Sequence, residues 1–300
     1  MIMKKRFLLV ALLSILLLLE GCIQPDPSHP LGTVTEDSET LPPYEPPSDH
    51  HYTEAVYVYQ TDVDESCLTT ELNMTYLKLA NKIHVLGADF APKKLLRLDA
   101  SIVIAWQEKI NGLYLEERAA RALCEMIDEM KHAGITDIWV TSAYRDYAYQ
   151  KRVFNENVKK ELAITEHAYA VLGEEYIQST YTDKELTELS LDDARKVALS
   201  YSAAPGTSEH QTGLCVDLTK VEKLNGDLLV EFEETDAFQW LSQNAYKFGF
   251  ILRYPQGKEA ITGYTYEPWH YRFVGREAAT DIYYSNQTLE EYLGAVQIQN

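Results

Sequence analysis

The chain has 300 residues, 46% hydrophobic and 24% charged, with a formal net charge of −19. That length and composition suit one sizeable domain with extensions. The acidic balance excludes nucleic acid as a partner, and with it a polybasic membrane patch, since both need clustered Lys and Arg. The four cysteines, Cys22, Cys67, Cys124 and Cys215, include no C-x-x-C, so neither a cysteine zinc finger nor a redox pair is predicted, and no spacing selects a disulfide.

In chain order, Lys4, Lys5 and Arg6 precede an apolar run from Phe7 to Leu19. The run is shorter than the about 20 residues of a membrane-spanning helix and suits the apolar core of a signal peptide. It ends in Leu19-Glu20-Gly21-Cys22, which resembles a bacterial lipoprotein signal, although Glu20 stands where a small residue is usual. The expectation is a signal over 1–21, lipidation of Cys22, and a mature protein anchored to the outer face of the cell membrane. Residues 22–52 are rich in proline, from Pro25 to Pro47, and in Ser, Thr, Asp and Glu. With little to bury they cannot offset their ordering entropy, and a solvated tether is predicted.

Residues 54–60 alternate and predict a short strand. Residues 53–99 as a whole read as a segment wrapping the domain, because 76–98 show no single period. From Leu115 to Ala133, Leu115, Ala119, Leu123, Met126, Ile127 and Met130 recur at helical spacing, and Gly134 is the stop. Asp137–Thr141 predicts a strand, and Asp146 a cap for the next helix. The acidic, Tyr-rich stretch 160–192 reads as a helical insertion. Thr235 and Asp236 open a helix ended by Gly249. Strands are predicted over 249–254 and 266–274. Helices and strands without a βαβ rhythm indicate an α+β domain, placed over 100–293.

Two segments carry candidate metal ligands. In Leu214–Leu218, Leu214, Val216 and Leu218 share one face of a strand, and Cys215 and Asp217 the other. His210 lies on the loop before it. In the second segment His270 and Arg272 share a face opposite Trp269, Tyr271 and Phe273. Glu267 has the wrong parity to join His270, but Pro268 between them makes a bend plausible. Two His and one Asp form the donor set of a catalytic zinc ion with one position left for water. A carboxylate beside such an ion, here Glu267, can take the water's proton. Spacing alone also admits a solvated loop histidine, a capping aspartate and a turn beside a core tryptophan.

At these residues the sequence resembles the VanY-type D-alanyl-D-alanine carboxypeptidases, zinc peptidases grouped with D-Ala-D-Ala dipeptidases and hedgehog-like domains. Ser208, His210, Gly213 and Asp217 match S-x-H-x-x-G-x-A-x-D, with Cys215 replacing the alanine; Cys215 is read as packing, not as a ligand. Glu267, Trp269 and His270 match E-x-W-H. Ser142, Tyr144, Arg145 and Gln150 match S-x-Y-R-x-x-x-x-Q. Tyr76 to Lys82 resembles the family's usual opening segment, and the likeness runs over about 70–293.

The resemblance implies an antiparallel sheet flanked by helices around a zinc cleft. It implies Zn2+ on His210, Asp217 and His270, Glu267 as general base, and Arg145 facing the substrate's carbonyl oxygen or terminal carboxylate. Gln150, Ser208, Tyr144, Ser142 and Trp269 are the expected substrate contacts. The implied reaction removes the terminal D-Ala of peptidoglycan stem peptides, and a monomer is expected. L,D-carboxypeptidase or endopeptidase action on the same stems is the nearest alternative. A non-catalytic zinc module of the cell wall is the alternative from another class.

Overall fold

The computed structural model describes residues 57–68, 74–98, 104–105, 112–181, 188–220, 224 and 227–295. The expected signal, the Cys22 lipidation site and the tether over 22–52 lie outside the described residues, as does the start of the strand expected over 54–60.

Two sheets form. Strands β1 (Leu95–Arg97) and β3 (Tyr114–Glu116) make an antiparallel pair. The larger sheet has five strands in the order β2-β4-β5-β7-β6. They are β2 (Ile104–Ala105), β4 (Trp139–Ser142), β5 (Cys215–Thr219), β6 (Phe250–Leu252) and β7 (His270–Phe273). The pairs β4–β5, β5–β7 and β6–β7 are antiparallel, as expected. The β2–β4 edge is parallel instead. Between these two strands the chain runs back through helix α1 (Glu117–His132), the crossover that a parallel pair needs.

Helix α1 starts two residues later than its periodicity suggests, because Leu115 is used in β3, where it pairs with Leu96. The Glu116 side chain then caps the helix, accepting from the backbone N–H of Arg118 (2.8 Å) and Ala119 (3.3 Å). At its end Gly134 takes φ 86°, and the Ile135 N–H donates back to the Met130 carbonyl at 2.9 Å. Only glycine adopts that turn without strain.

Asp146 caps α2 (Tyr147–Lys160) as expected, accepting from Tyr149 N–H at 2.6 Å. The insertion is helical: α3 (Glu166–Leu172), α4 (Glu174–Thr180) and α5 (Leu191–Ala198). Phe154 and Val158 of α2 pack with Ala168, Ile177, Ala194 and Val197 in a small core of its own. Further on come α6 (Asp236–Asn244), α7 (Glu259–Thr262), α8 (Arg276–Ser285) and α9 (Leu289–Tyr292).

Two expected strands change. Tyr57–Gln60 is not a strand. Its backbone N–H groups at Gln60 and Thr61 donate to the carboxylate of Glu129 on α1, so a side chain replaces a neighbouring strand. The strand expected over 266–274 shrinks to β7, because Glu267 to His270 forms a turn closed by His270 N–H to Glu267 C=O at 3.2 Å.

The main core lies between the sheet and α1. Leu214, Val216 and Leu218 meet Tyr271, Phe273, Leu123, Met126 and Ile127 there. That leaves the opposite face of β5 and β7 to carry the polar residues.

Candidate active site

The register of the central strands brings the chemistry together. Asp217 is opposite His270, and Cys215 is opposite Arg272. His210 arrives on a 3-10 turn, Glu209–Thr212, ended by Gly213 at φ 69°. A Cβ on Gly213 would meet Pro92 Cγ at 2.9 Å, so the turn needs glycine both for its backbone and for the space.

Four side chains converge. His210 Nε2 is 3.2 Å from Asp217 Oδ2. His270 Nδ1 is 3.2 Å from Asp217 Oδ1 and 3.2 Å from Glu267 Oε2. All but Glu267 are buried; the Glu267 side chain is 17% exposed and stands at the mouth.

The far nitrogen of each ring is tied. His210 Nδ1 donates to the Ala143 carbonyl at 2.7 Å. A carbonyl can only accept, so Nδ1 carries the hydrogen and Nε2 presents a lone pair. His270 Nε2 donates to Glu209 Oε1 at 3.0 Å, leaving Nδ1 for the shared centre. Burial pushes the Glu209 carboxyl up, but the Arg253 and Arg272 guanidiniums outweigh it and hold it well below the usual carboxylate range, so it stays an acceptor.

Asp217 Oδ1 is buried and makes no aligned hydrogen bond, despite the nearby imidazole. Two lone pairs and a carboxylate facing one another in a buried space are stable only around positive charge. Burial and, for His210, Arg145 pull the imidazoles down, but Asp217 and Cys215 outweigh them and raise both above the ordinary histidine value. A divalent ion bound there would compete with protons for the same donor atoms. Two imidazoles and a carboxylate are a borderline donor set that fits zinc.

Cys215 is buried on the face of Asp217, and its sulfur and the His210 and His270 ligand atoms all lie within 4.8 Å of one another. Burial raises its thiol, and the two imidazoles outweigh that and bring it below the ordinary value. Cys67 and Cys215 are free thiols.

The site opens into a cleft of about 390 Å³ lined by Arg145, Gln150, Ser208, Glu267 and Trp269, together with Tyr201, Tyr254 and Tyr264. Arg145 Nε and Gln150 Oε1 are buried without a hydrogen-bond partner. The other Gln150 atom, Nε2, donates to Ala203 C=O at 2.7 Å. Ser142 and Tyr144, expected as substrate contacts, are not among the lining residues. Ser142 is opposite Asp217 in the sheet, and Tyr144 N–H donates to the Tyr114 carbonyl at 2.8 Å. They fix the strand end whose Ala143 carbonyl orients His210, and Arg145 N–H returns to His210 C=O at 3.2 Å.

Sequence reasoning missed the layer behind His270. Glu209 Oε2 accepts from Arg253 Nε and from Arg272, each at 2.8 Å. Arg253 also forks onto Glu290 at 2.6 and 2.8 Å, and Arg272 reaches the carbonyls of Tyr76 and Lys78. All four charged side chains are buried. The shared parity of Arg272 and His270 was the one available signal.

The family model for VanY, D-alanyl-D-alanine carboxypeptidase, matches residues 112–276. YodJ of Bacillus subtilis (strain 168) is 37% identical over 222 residues, 74% of this chain and 68% of its own length. A D-alanyl-D-alanine carboxypeptidase of Enterococcus faecalis (strain ATCC 700802 / V583) is 35% identical, over 65% of this chain and 62% of its own. The solved LdcB LD-carboxypeptidase superposes with TM-score 0.55 and 35% identity, over 73% of this chain and 86% of that one. The vancomycin resistance D,D-pentapeptidase VanY, an E175A mutant in complex with Zn(II), superposes with TM-score 0.52 and 32% identity, over 73% of this chain and 99% of that one. This fold, with the ordered residues of its cleft, belongs to the VanY D-alanyl-D-alanine carboxypeptidase family.

Proposed function

We propose that the chain is a zinc-dependent D,D-carboxypeptidase that removes the terminal D-Ala of peptidoglycan stem peptides. It would work outside the cytoplasm, tethered by a lipid on Cys22. The observation that carries the reading is the convergence of two imidazoles, each tied at its far nitrogen, on the buried Asp217 carboxylate. Zinc in the VanY neighbour supports the choice of ion.

His210 Nε2, Asp217 and His270 Nδ1 would hold the ion, whose chemistry when bound is to polarise an amide carbonyl and make a water acidic. Glu267, beside His270 and open to the cleft, takes the water's proton and returns it to the leaving amine. Arg145 offers its guanidinium to the developing oxyanion or to the terminal carboxylate. Gln150 Oε1, left without a partner, accepts from a substrate N–H. Ser208 and Trp269 contribute to the wall against which the peptide rests.

A second reading, L,D-carboxypeptidase action, is favoured by the likeness to LdcB. Incubation of the zinc-loaded protein with stem pentapeptide and tetrapeptide, followed by mass measurement, separates the two. Loss of D-Ala from the pentapeptide alone supports the D,D reading. Conversion of tetrapeptide to tripeptide replaces it with the L,D reading, and an inert pair of substrates removes both. For the tether, Cys22→Ser is expected to release the protein from the membrane fraction.

A further inference from the structure

We propose that the tyrosine cluster of α8, with the groove beside it, binds the sugar strand that carries the stem peptides, through uncharged N-acetylhexosamine units. The choice of sugar rests on the peptidoglycan reading above; the surface itself is independent of the metal site.

Tyr246, on the turn after α6, and Tyr283 stack with ring centroids 4.2 Å apart and planes 14° from parallel. Tyr284 stands edge-on to both, at 5.7 and 5.1 Å. Tyr283 and Tyr284 are nevertheless 42% and 49% exposed. The rings hold one another's planes while leaving much of their surface to solvent. Such tyrosines offer rigid contact area at a low entropy cost on binding.

The groove beside them, of about 220 Å³, is lined by Tyr246, Tyr283, Ser242, Asn286 and Gln287 among others. Tyr271 lines it too; it is buried, and its hydroxyl has no hydrogen-bond partner. A buried hydroxyl in that state calls for a polar group from a ligand. The groove is smaller than the about 300–1,000 Å³ of sites that enclose a whole small molecule. It therefore takes one substituent of a longer chain.

This chemistry selects a sugar. One face of a hexopyranose is lined with C–H bonds and lies flat on an aromatic ring, and its hydroxyl and acetamido groups suit a phenol and amides. A phospholipid surface or an anionic polymer needs clustered cations instead. On α6, the turn after it and α8 the cations are Lys247 and Arg276, against Asp236, Glu277 and Asp281, and Arg276 is paired with Glu65. The groove shares no lining residue with the metal cleft, and Tyr271 and His270 lie on opposite faces of β7. A strand held here keeps the enzyme on the polymer while the cleft takes stems from neighbouring strands.

Titration of the full chain with the peptide-free hexamer of N-acetylglucosamine, followed by amide chemical shifts, tests this. Shifts should concentrate at 242–246, 271 and 283–287. The Tyr283→Ala, Tyr284→Ala double variant and Tyr271→Phe should each weaken binding about tenfold, with kcat/KM on soluble stem peptide unchanged. If the variants fail to fold, the shift map of the unmodified protein still decides. No binding of the hexamer, or shifts confined to the cleft, overturns the proposal. So does binding of phosphatidylcholine vesicles in its place. Hexamer binding by a chain inert toward stem peptides supports this surface and refutes the peptidase reading alone.

Discussion

The Glu209 carboxylate sits 3.0 Å from Nε2 of His270, with both side chains buried. A carboxylate in that place fixes the ring's tautomer and orientation, so that Nδ1 faces Asp217. Its other oxygen is held by Arg253 and Arg272. The ion-pair network therefore holds one arm of the candidate metal site, as well as linking β7 to α9.

Glu209→Gln should then show two separable effects. Zinc affinity should fall about 10- to 100-fold, the usual cost of removing such a support. Folding stability should fall by about 3–5 kcal/mol, because the buried Arg272 guanidinium loses its carboxylate partner while Arg253 keeps Glu290 alone. Chelator competition measures the first and denaturant unfolding the second. Lower stability with unchanged zinc affinity would make Glu209 a structural residue alone.

Glu267 makes the opposite case. It contacts His270 but lies at the open end of the cleft, outside the buried donor set. Glu267→Gln should lower kcat about 10²- to 10⁴-fold, the usual contribution of a positioned proton carrier. Zinc content, measured by elemental analysis, should stay at the unmodified level. Full turnover in this variant would remove Glu267 from the reaction.

What the sequence disclosed follows the range of its signals. The alternation in β5 put Leu214, Val216 and Leu218 inward and left Cys215 and Asp217 outward, because that period is local to five residues. The turn at Pro268 was readable for the same reason. Glu209 was not, since it occupies an unconstrained position of its motif and its partner Arg253 lies 44 residues away. The β1–β3 pair was also hidden: Leu95–Arg97 has no alternation of its own, and its partner lies beyond the intervening β2. Cys215 was read by size, and only the register with β7 shows which groups its sulfur meets.

Metal removal tests the triad as a unit. A ligand that binds only the folded chain stabilises it by mass action, about 2.7 kcal/mol at a hundredfold excess over Kd. Chelation should therefore lower the Tm of the unmodified protein, and added zinc should restore it. His210→Ala and Asp217→Ala should each lose zinc and also lose the chelator's effect on Tm. A variant whose Tm still responds to chelator would free that residue from the donor set.

The helical insertion carries a pH dependence of its own. Asp193 of α5 accepts from Tyr181 Oη at 2.6 Å, Tyr176 Oη at 3.0 Å and Lys196 Nζ at 3.1 Å, and from Ser190. Burial raises its carboxyl, but these donors outweigh it and bring it down to about 2, from an ordinary 3.8. A depressed acid stabilises the fold above its unfolded value and loses that contribution as pH falls through its folded one. Amide exchange in α3, α4 and α5 should therefore speed up as pH drops from about 4 to about 2, after correction for the intrinsic exchange rate. In Asp193→Asn exchange should be faster at neutral pH and should gain nothing further over that window. Measuring both proteins by residue-resolved hydrogen exchange separates this from acid loss of a metal, which would act first around β5 and β7. Parallel pH profiles for the two would show that Asp193 does not hold the insertion together.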